Sequence, residues 1–210
     1  MRVVIFGASG GIGKWAVKHA KLKGYEVTAF VRNANKIKDE EITVIQGSIS
    51  NYQEVKAAVS GKDAVIWTVG IPMENYEKKE SLEGHQNLIK AMKEAGVRRL
   101  IDWGTPSIQF EKDRLSFVTL VPKFLAGILY PKGKEELIEV AELIKQSDLD
   151  WTIVRFLRPL DAPYTGKVTV GFGDIWFMGF SISREDIGAF MVEQVEGREY
   201  VRSMPIICGQ

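Results

Sequence analysis

The chain has 210 residues, with 28 Lys and Arg against 27 Asp and Glu and a formal net charge of +1; that balance leaves no global field to draw it to nucleic acid or to an anionic membrane surface. Hydrophobic residues make up 45% and charged residues 26%, a globular composition, and the length suits one well-buried domain without a separate substrate domain. A single cysteine, Cys208, excludes an internal disulfide, and its place beside the C-terminus argues against a catalytic thiol.

Residues 1–33 read as one βαβ unit: a buried strand over 2–6, a glycine turn, a helix over about 11–23 and a second strand over 26–31. Gly7, Gly10 and Gly13 stand three apart. The first glycine lets the strand reverse, the second lets backbone N–H groups approach a pyrophosphate, and the third lets the helix lie close on the sheet. The helix N-terminus then offers free donors and the positive end of its dipole to the phosphates. Gly7, Ser9, Gly10, Gly11, Ile12 and Gly13 are therefore candidate cofactor-binding residues; a turn that needs glycine for steric reasons alone is the competing reading. The second strand closes on Arg32 and Asn33 with Lys36 just beyond and no carboxylate. A site for NAD carries an acidic residue here, whereas a 2′-phosphate needs a cation, and a guanidinium fork suits phosphate. NADP is the expected cofactor, with NAD the alternative and Arg32 as a solvated loop residue the bland reading.

His19 falls among the helix lysines and reads as exposed. Residues 35–41 read as a weak helix, and residues 42–45 as the third strand. Asn51 and Glu54 have N-cap and N3 spacing for a helix through Val59. The apolar run over 64–69 is a strand buried on both faces. Ligands in such sheets lie beyond the carboxyl ends of the strands, which places Thr68, Val69 and Gly70 beside the ribose and nicotinamide. The next helix, 81–95, has core spacing at Leu82, Leu88, Ile89 and Met92, puts His85 and Gln86 on its outer or partly covered surface, and ends at Gly96. The fifth strand, 100–103, runs into Thr105, a strand-end cap on the residues alone.

Residues 106–129 are rich in large apolar side chains that suit a cover over a nicotinamide and substrate, or a dimer or membrane-surface patch; the charged cluster 111–114 within it reads as a solvated loop. Tyr130 and Lys134 follow, then a helix over 134–146 and a sixth strand over 151–154. Residues 156–182 read as a small substrate-side lid, with an added strand over 166–172 and a glycine-aromatic stretch containing Trp176, Phe177 and Met178. Ser183 and Asp186 mark the start of a last helix through about Val195. The N-terminus enters a strand at once, with no charged leader, and no apolar run reaches membrane-spanning length, so a cytoplasmic location is expected.

The segments GASGGIG, Arg32-Asn33, VIQGSISN, GKDAVIWTVG, NLIKAMKEAGVRRLI, DLDWTIVR and SISREDIGAFM resemble the atypical short-chain dehydrogenase/reductases, in particular the NmrA-like and NAD(P)H-flavin-reductase-like group, over nearly the whole chain. The resemblance implies a contact to the adenine from Ser48 and Ile49; relatives often carry Gly-Asp in this segment, and Ser48 stands in place of the aspartate. It aligns Thr105 with a hydroxyl that binds a substrate carbonyl and Asn87 with a position that braces a loop. Tyr130 and Lys134 match a Tyr-x-x-x-Lys pair in which the lysine binds the nicotinamide ribose and lowers the tyrosine pKa, so that the tyrosine exchanges the proton as hydride moves. Arg155-Phe156-Leu157 stands where the group usually has Arg-Pro-Gly.

The expected architecture is a single-domain Rossmann α/β fold, a doubly wound, mainly parallel sheet with helices on both faces. The expected function is an NADP-dependent oxidoreductase acting on a small carbonyl, quinone or flavin-like acceptor, with Thr105, Tyr130 and Lys134 catalytic. The rivals are an NADP-binding sensor that presents its surface to a protein partner, and an epimerase or dehydratase. Nucleic acid, membrane and metal are not expected as partners, and the chain is expected to be a monomer or homodimer.

Overall fold

Parallel strands covered on both faces must be apolar on both, and the strands of this chain are. A computed structural model of the protein describes residues 1–71, 78–114, 120, 124, 129–174 and 180–210. Its main sheet contains β1 (Arg2–Phe6), β2 (Glu26–Val31), β3 (Thr43–Gln46), β4 (Ala64–Trp67), β5 (Arg99–Gly104), β6 (Asp150–Arg155), β8 (Val168–Gly171) and β10 (Ile206–Gly209). Val4, Phe6, Val65, Trp67 and Leu100 point to one face, where they meet α2 (Tyr52–Val59), α3 (Glu80–Ala95) and α4 (Pro131–Lys145). Val3, Ile5, Ala64, Ile66 and Ile101 point to the other, against α1 (Gly13–Leu22) and α5 (Arg184–Glu193). One strand period thus feeds two cores.

The strand order is β3-β2-β1-β4-β5-β6-β10-β8. Every pairing from β3 to β10 is parallel, and β8 closes the edge antiparallel to β10. This is a Rossmann fold: the winding reverses between β1 and β4, and the crevice at their carboxyl ends is where such sheets bind ligands. A second, two-stranded sheet pairs β7 (Arg158–Leu160) with β9 (Ser181–Ser183).

Local chemistry sets most boundaries. Asn51 caps α2, its side chain accepting from the N–H groups of Gln53 and Glu54, and Gly96 ends α3 in the left-handed region at φ 70°. Pro131 occupies the first turn of α4, where its missing N–H is not needed. The weak helix expected over 35–41 is only a 3-10 turn, Ala34–Lys36, capped by Asn33. Among the described residues no helix is long and apolar enough to cross a membrane. Trp176, Phe177 and Met178, and most of the apolar segment before Tyr130, lie outside the described residues.

Two buried guanidinium groups lock the distal half. Arg155 is fully buried and donates to Met204 O, Ile108 O and the carboxylate of Asp113. Glu111, Lys112 and Arg114 are exposed, as in a solvated loop, but Asp113 turns inward as the counter-charge that lets Arg155 sit in the core. Arg99 donates to Gln194 O, Asp150 O and Thr152 Oγ1. Burial draws its pKa down to about 10, so at neutral pH it stays charged and holds the carboxyl end of α5.

Candidate functional site

The turn between β1 and α1 is built on positions that cannot carry a side chain. Gly7 has φ +78°, and a Cβ there would lie 2.8 Å from the backbone of Thr68 and Val69. A Cβ on Gly13 would lie 2.1 Å from Gly7 O. The Gly10 N–H donates to Gly7 O at 2.8 Å, which curls the turn so that α1 begins at the sheet edge. No side chain caps α1, and the N–H groups of Gly11 and Ile12 have no acceptor among the described residues. A helix start of this kind presents donors suited to an anion.

In front of it opens a crevice of about 310 Å³. Gly7, Ser9 and Gly10 form its floor; Arg32, Asn33 and Lys36 come from beyond β2, Ser48 and Ile49 from beyond β3, Thr68, Val69 and Gly70 from beyond β4, and Ser81 from the start of α3. The topology thus brings most of the cofactor residues read from the sequence to one place, while Gly11, Ile12, Gly13 and Lys134 do not line it.

Several of these side chains are already engaged in shaping the walls. Thr68 Oγ1 donates to Phe6 O at 2.8 Å, so its hydroxyl faces β1 and a ligand would meet its backbone. Asn33 Oδ1 accepts from Asn35 N at 3.0 Å. Ser48 Oγ accepts from Ser50 N, and the Ser48 N–H donates to Glu54 Oε2 at 2.7 Å. Asn87 donates to Ile49 O at 3.0 Å, which braces that loop. Trp103 Nε1 donates to Val69 O at 2.8 Å. By contrast, Arg32 and Lys36 make no salt bridge among the described residues. They leave two cations on one rim, and Arg32 is exposed.

Thr105, Tyr130 and Lys134 do not line this crevice. Thr105 Oγ1 lies 2.6 Å from Ser107 Oγ at the end of β5. Tyr130 is the residue before α4 and 40% exposed, and the Lys134 N–H donates to Tyr130 O at 2.9 Å. The spacing therefore falls on one helical turn despite Pro131 and Gly133.

Two histidines differ from expectation. His19 is not exposed: its side chain is 13% accessible and its Nε2 lies 3.2 Å from Glu185 Oε1, because α5 packs over α1. His85 is buried, with Nε2 2.8 Å from Asp102 Oδ2 and Nδ1 2.6 Å from Ser81 O. Its ring packs on Trp67 with centroids 4.2 Å apart. Leu88 and Met92, three and seven residues on, lie on the same helix stripe and signal that burial.

Comparison with known proteins agrees with this geometry. Residues 7–198 match the model of a family described as NAD(P)H-binding. The chain is 27% identical over 160 residues to the uncharacterized protein YwnB of Bacillus subtilis strain 168, covering 76% of this chain and 71% of that one. It is 25% identical over 222 residues to isoflavone reductase homolog P3 of Arabidopsis thaliana, covering 93% of this chain and 64% of that longer protein. A solved short-chain dehydrogenase/reductase from Veillonella parvula DSM 2008, in complex with NADP, has the same fold, with a TM-score of 0.77 over 99% of this chain and 94% of that one at 18% identity.

Proposed function

The chain belongs to the NAD(P)H-binding family, and from that premise we propose that it is an NADP-dependent oxidoreductase of the atypical short-chain dehydrogenase/reductase type, acting on a small carbonyl, quinone or flavin-like acceptor. The dinucleotide supplies the hydride chemistry when bound. The residues supply position. The N–H groups of the turn from Gly7 to Gly13 hold the diphosphate, and Ser48 and Ile49 flank the adenine. The backbone of Thr68, Val69 and Gly70 meets the ribose on the nicotinamide side. That the Veillonella protein, of the same fold, is solved in complex with NADP supports a dinucleotide as the ligand.

The observation that carries the cofactor choice is the pair Arg32 and Lys36, both on the crevice rim and outside any salt bridge among the described residues, with no carboxylate at the end of β2. A 2′-phosphate there gains charge-assisted hydrogen bonds that a ribose hydroxyl does not. Fluorescence titration of the unmutated protein should show NADPH preferred over NADH by roughly 10- to 100-fold, and Arg32→Ala should remove most of that preference. Equal affinity of the unmutated protein for both would end the NADP assignment.

Turnover separates an enzyme from a sensor: sustained NADPH oxidation with a quinone, flavin or carbonyl panel supports the reductase, and tight binding without turnover reassigns the chain to nucleotide sensing. Thr105, Tyr130 and Lys134 stand as the acid-side candidates. With Tyr130 on the exposed rim of α4, solvent can supply the proton. Tyr130→Phe is then expected to keep kcat/KM within about threefold, whereas a loss of about 100-fold or more would make the tyrosine the proton donor.

A further inference from the structure

Helix α5 packs against α1. Arg184, its first residue, lies against Gly11, and Gly188 lies against Trp15 and Ala16. A Cβ on Gly188 would sit 2.8 Å from Ala16 N, a backbone atom that cannot yield, whereas one on Gly11 would sit 3.0 Å from Arg184 Cδ and 3.1 Å from its Nε, so the arginine stem packs directly on the turn and would have to give by a few tenths of an ångström. The stem of Arg184 therefore rests on the bare backbone of the turn, beside N–H groups that have no acceptor among the described residues.

Its charge is only loosely committed. Arg184 Nη1 lies 2.9 Å from Asp161 Oδ2, and the Asp161 side chain is 79% exposed. Exposed pairs of this kind contribute little. The two carboxylates that follow Arg184 in the chain are engaged elsewhere: Glu185 with Lys18 and His19, and Asp186 with Ser183, Thr165 and Gly166. A guanidinium fork fits a diphosphate better than one solvated carboxylate, because it presents parallel donors to two oxygen atoms.

We propose that Arg184 is a cation of the diphosphate site, and that Asp161 is its competitor in the nucleotide-free protein: a bound dinucleotide takes the guanidinium from Asp161. This rests on the dinucleotide reading of the crevice. Since both cofactors carry the diphosphate, Arg184 serves NADPH and NADH alike, in contrast to Arg32.

The test is equilibrium titration of the full chain with NADPH, NADH and 2′-AMP, together with the melting temperature of each nucleotide-free variant. Arg184→Gln should weaken both dinucleotides by about tenfold or more and leave 2′-AMP binding unchanged. Asp161→Asn should tighten both dinucleotides by roughly two- to fivefold. Dinucleotide affinities of Arg184→Gln within about twofold of the unmutated protein, or a loss confined to NADPH, overturn the proposal. If Arg184→Gln fails to fold, Asp161→Asn decides alone, and an unchanged or weaker affinity overturns it. Failure of the unmutated protein to bind either dinucleotide sinks the underlying reading as well, whereas normal binding with an indifferent Arg184→Gln sinks only this inference.

Discussion

Gly13→Ala is expected to abolish dinucleotide binding and to destabilise the fold by about 3 kcal/mol, at the upper end of ordinary overpacking costs. The new methyl carbon would stand 2.1 Å from Gly7 O, 2.8 Å from Gly7 C and 2.8 Å from Thr68 Oγ1. Two of those atoms are backbone, so no rotamer change relieves the clash. Either α1 lifts off the sheet or the turn opens, and both move the Gly11 and Ile12 N–H groups away from the place where a diphosphate would lie. Gly70→Ala is the matched control for stability, because a Cβ there meets nothing within 4 Å. Urea denaturation with NADPH titration on the two variants checks the contrast. A Gly13→Ala protein with unchanged midpoint and affinity would show that the close approach of turn and helix is not needed.

The glycine turn is legible in the sequence because its interactions are local. The spacing of Gly7, Gly10 and Gly13, the apolar runs of β1 and β4, and the capping pattern at Asn51 all report interactions within a few residues, so pattern alone places them. The strand order follows from the same βαβ logic once the first turn is placed. What the pattern left out lies at long range. His19 looks like one more polar residue on a lysine-rich face, because its partner Glu185 is 166 positions away. Arg155 looks like a loop arginine until Asp113, 42 positions earlier, is seen to neutralise it inside the core. The stem of Arg184 on Gly11 needs two helices side by side. Gly11 was readable as part of a phosphate turn, but the arginine that occupies its missing side chain was not.

The largest of these long-range effects is expected at His85 and Asp102. Each side chain is 2% exposed, with Nε2 and Oδ2 2.8 Å apart. The other ring nitrogen faces Ser81 O, and Asp102 Oδ1 accepts from Trp103 N at 2.7 Å. The ring thus ties the first turn of α3 to β5 inside the core, with Ser81 Oγ also 3.4 Å from Nδ1. Removing one partner strands the other without solvent: His85→Ala and Asp102→Ala are each expected to cost about 3–5 kcal/mol. Asp102→Asn should cost much less, about 1–2 kcal/mol, because the amide can still accept from Trp103 N and hydrogen-bond the ring. Truncation of His85 also removes its contact with Trp67, so the single variants alone do not isolate the pair. The double variant does, and its cost should fall short of the sum of the singles by about 1–3 kcal/mol. Strict additivity in urea denaturation would remove the coupling. The pair also steadies the crevice, since Ser81 lines it and Trp103, next to Asp102, holds Val69 O. His85→Ala should therefore weaken NADPH binding as well as stability, whereas Asp102→Asn should leave the affinity close to that of the unmutated protein.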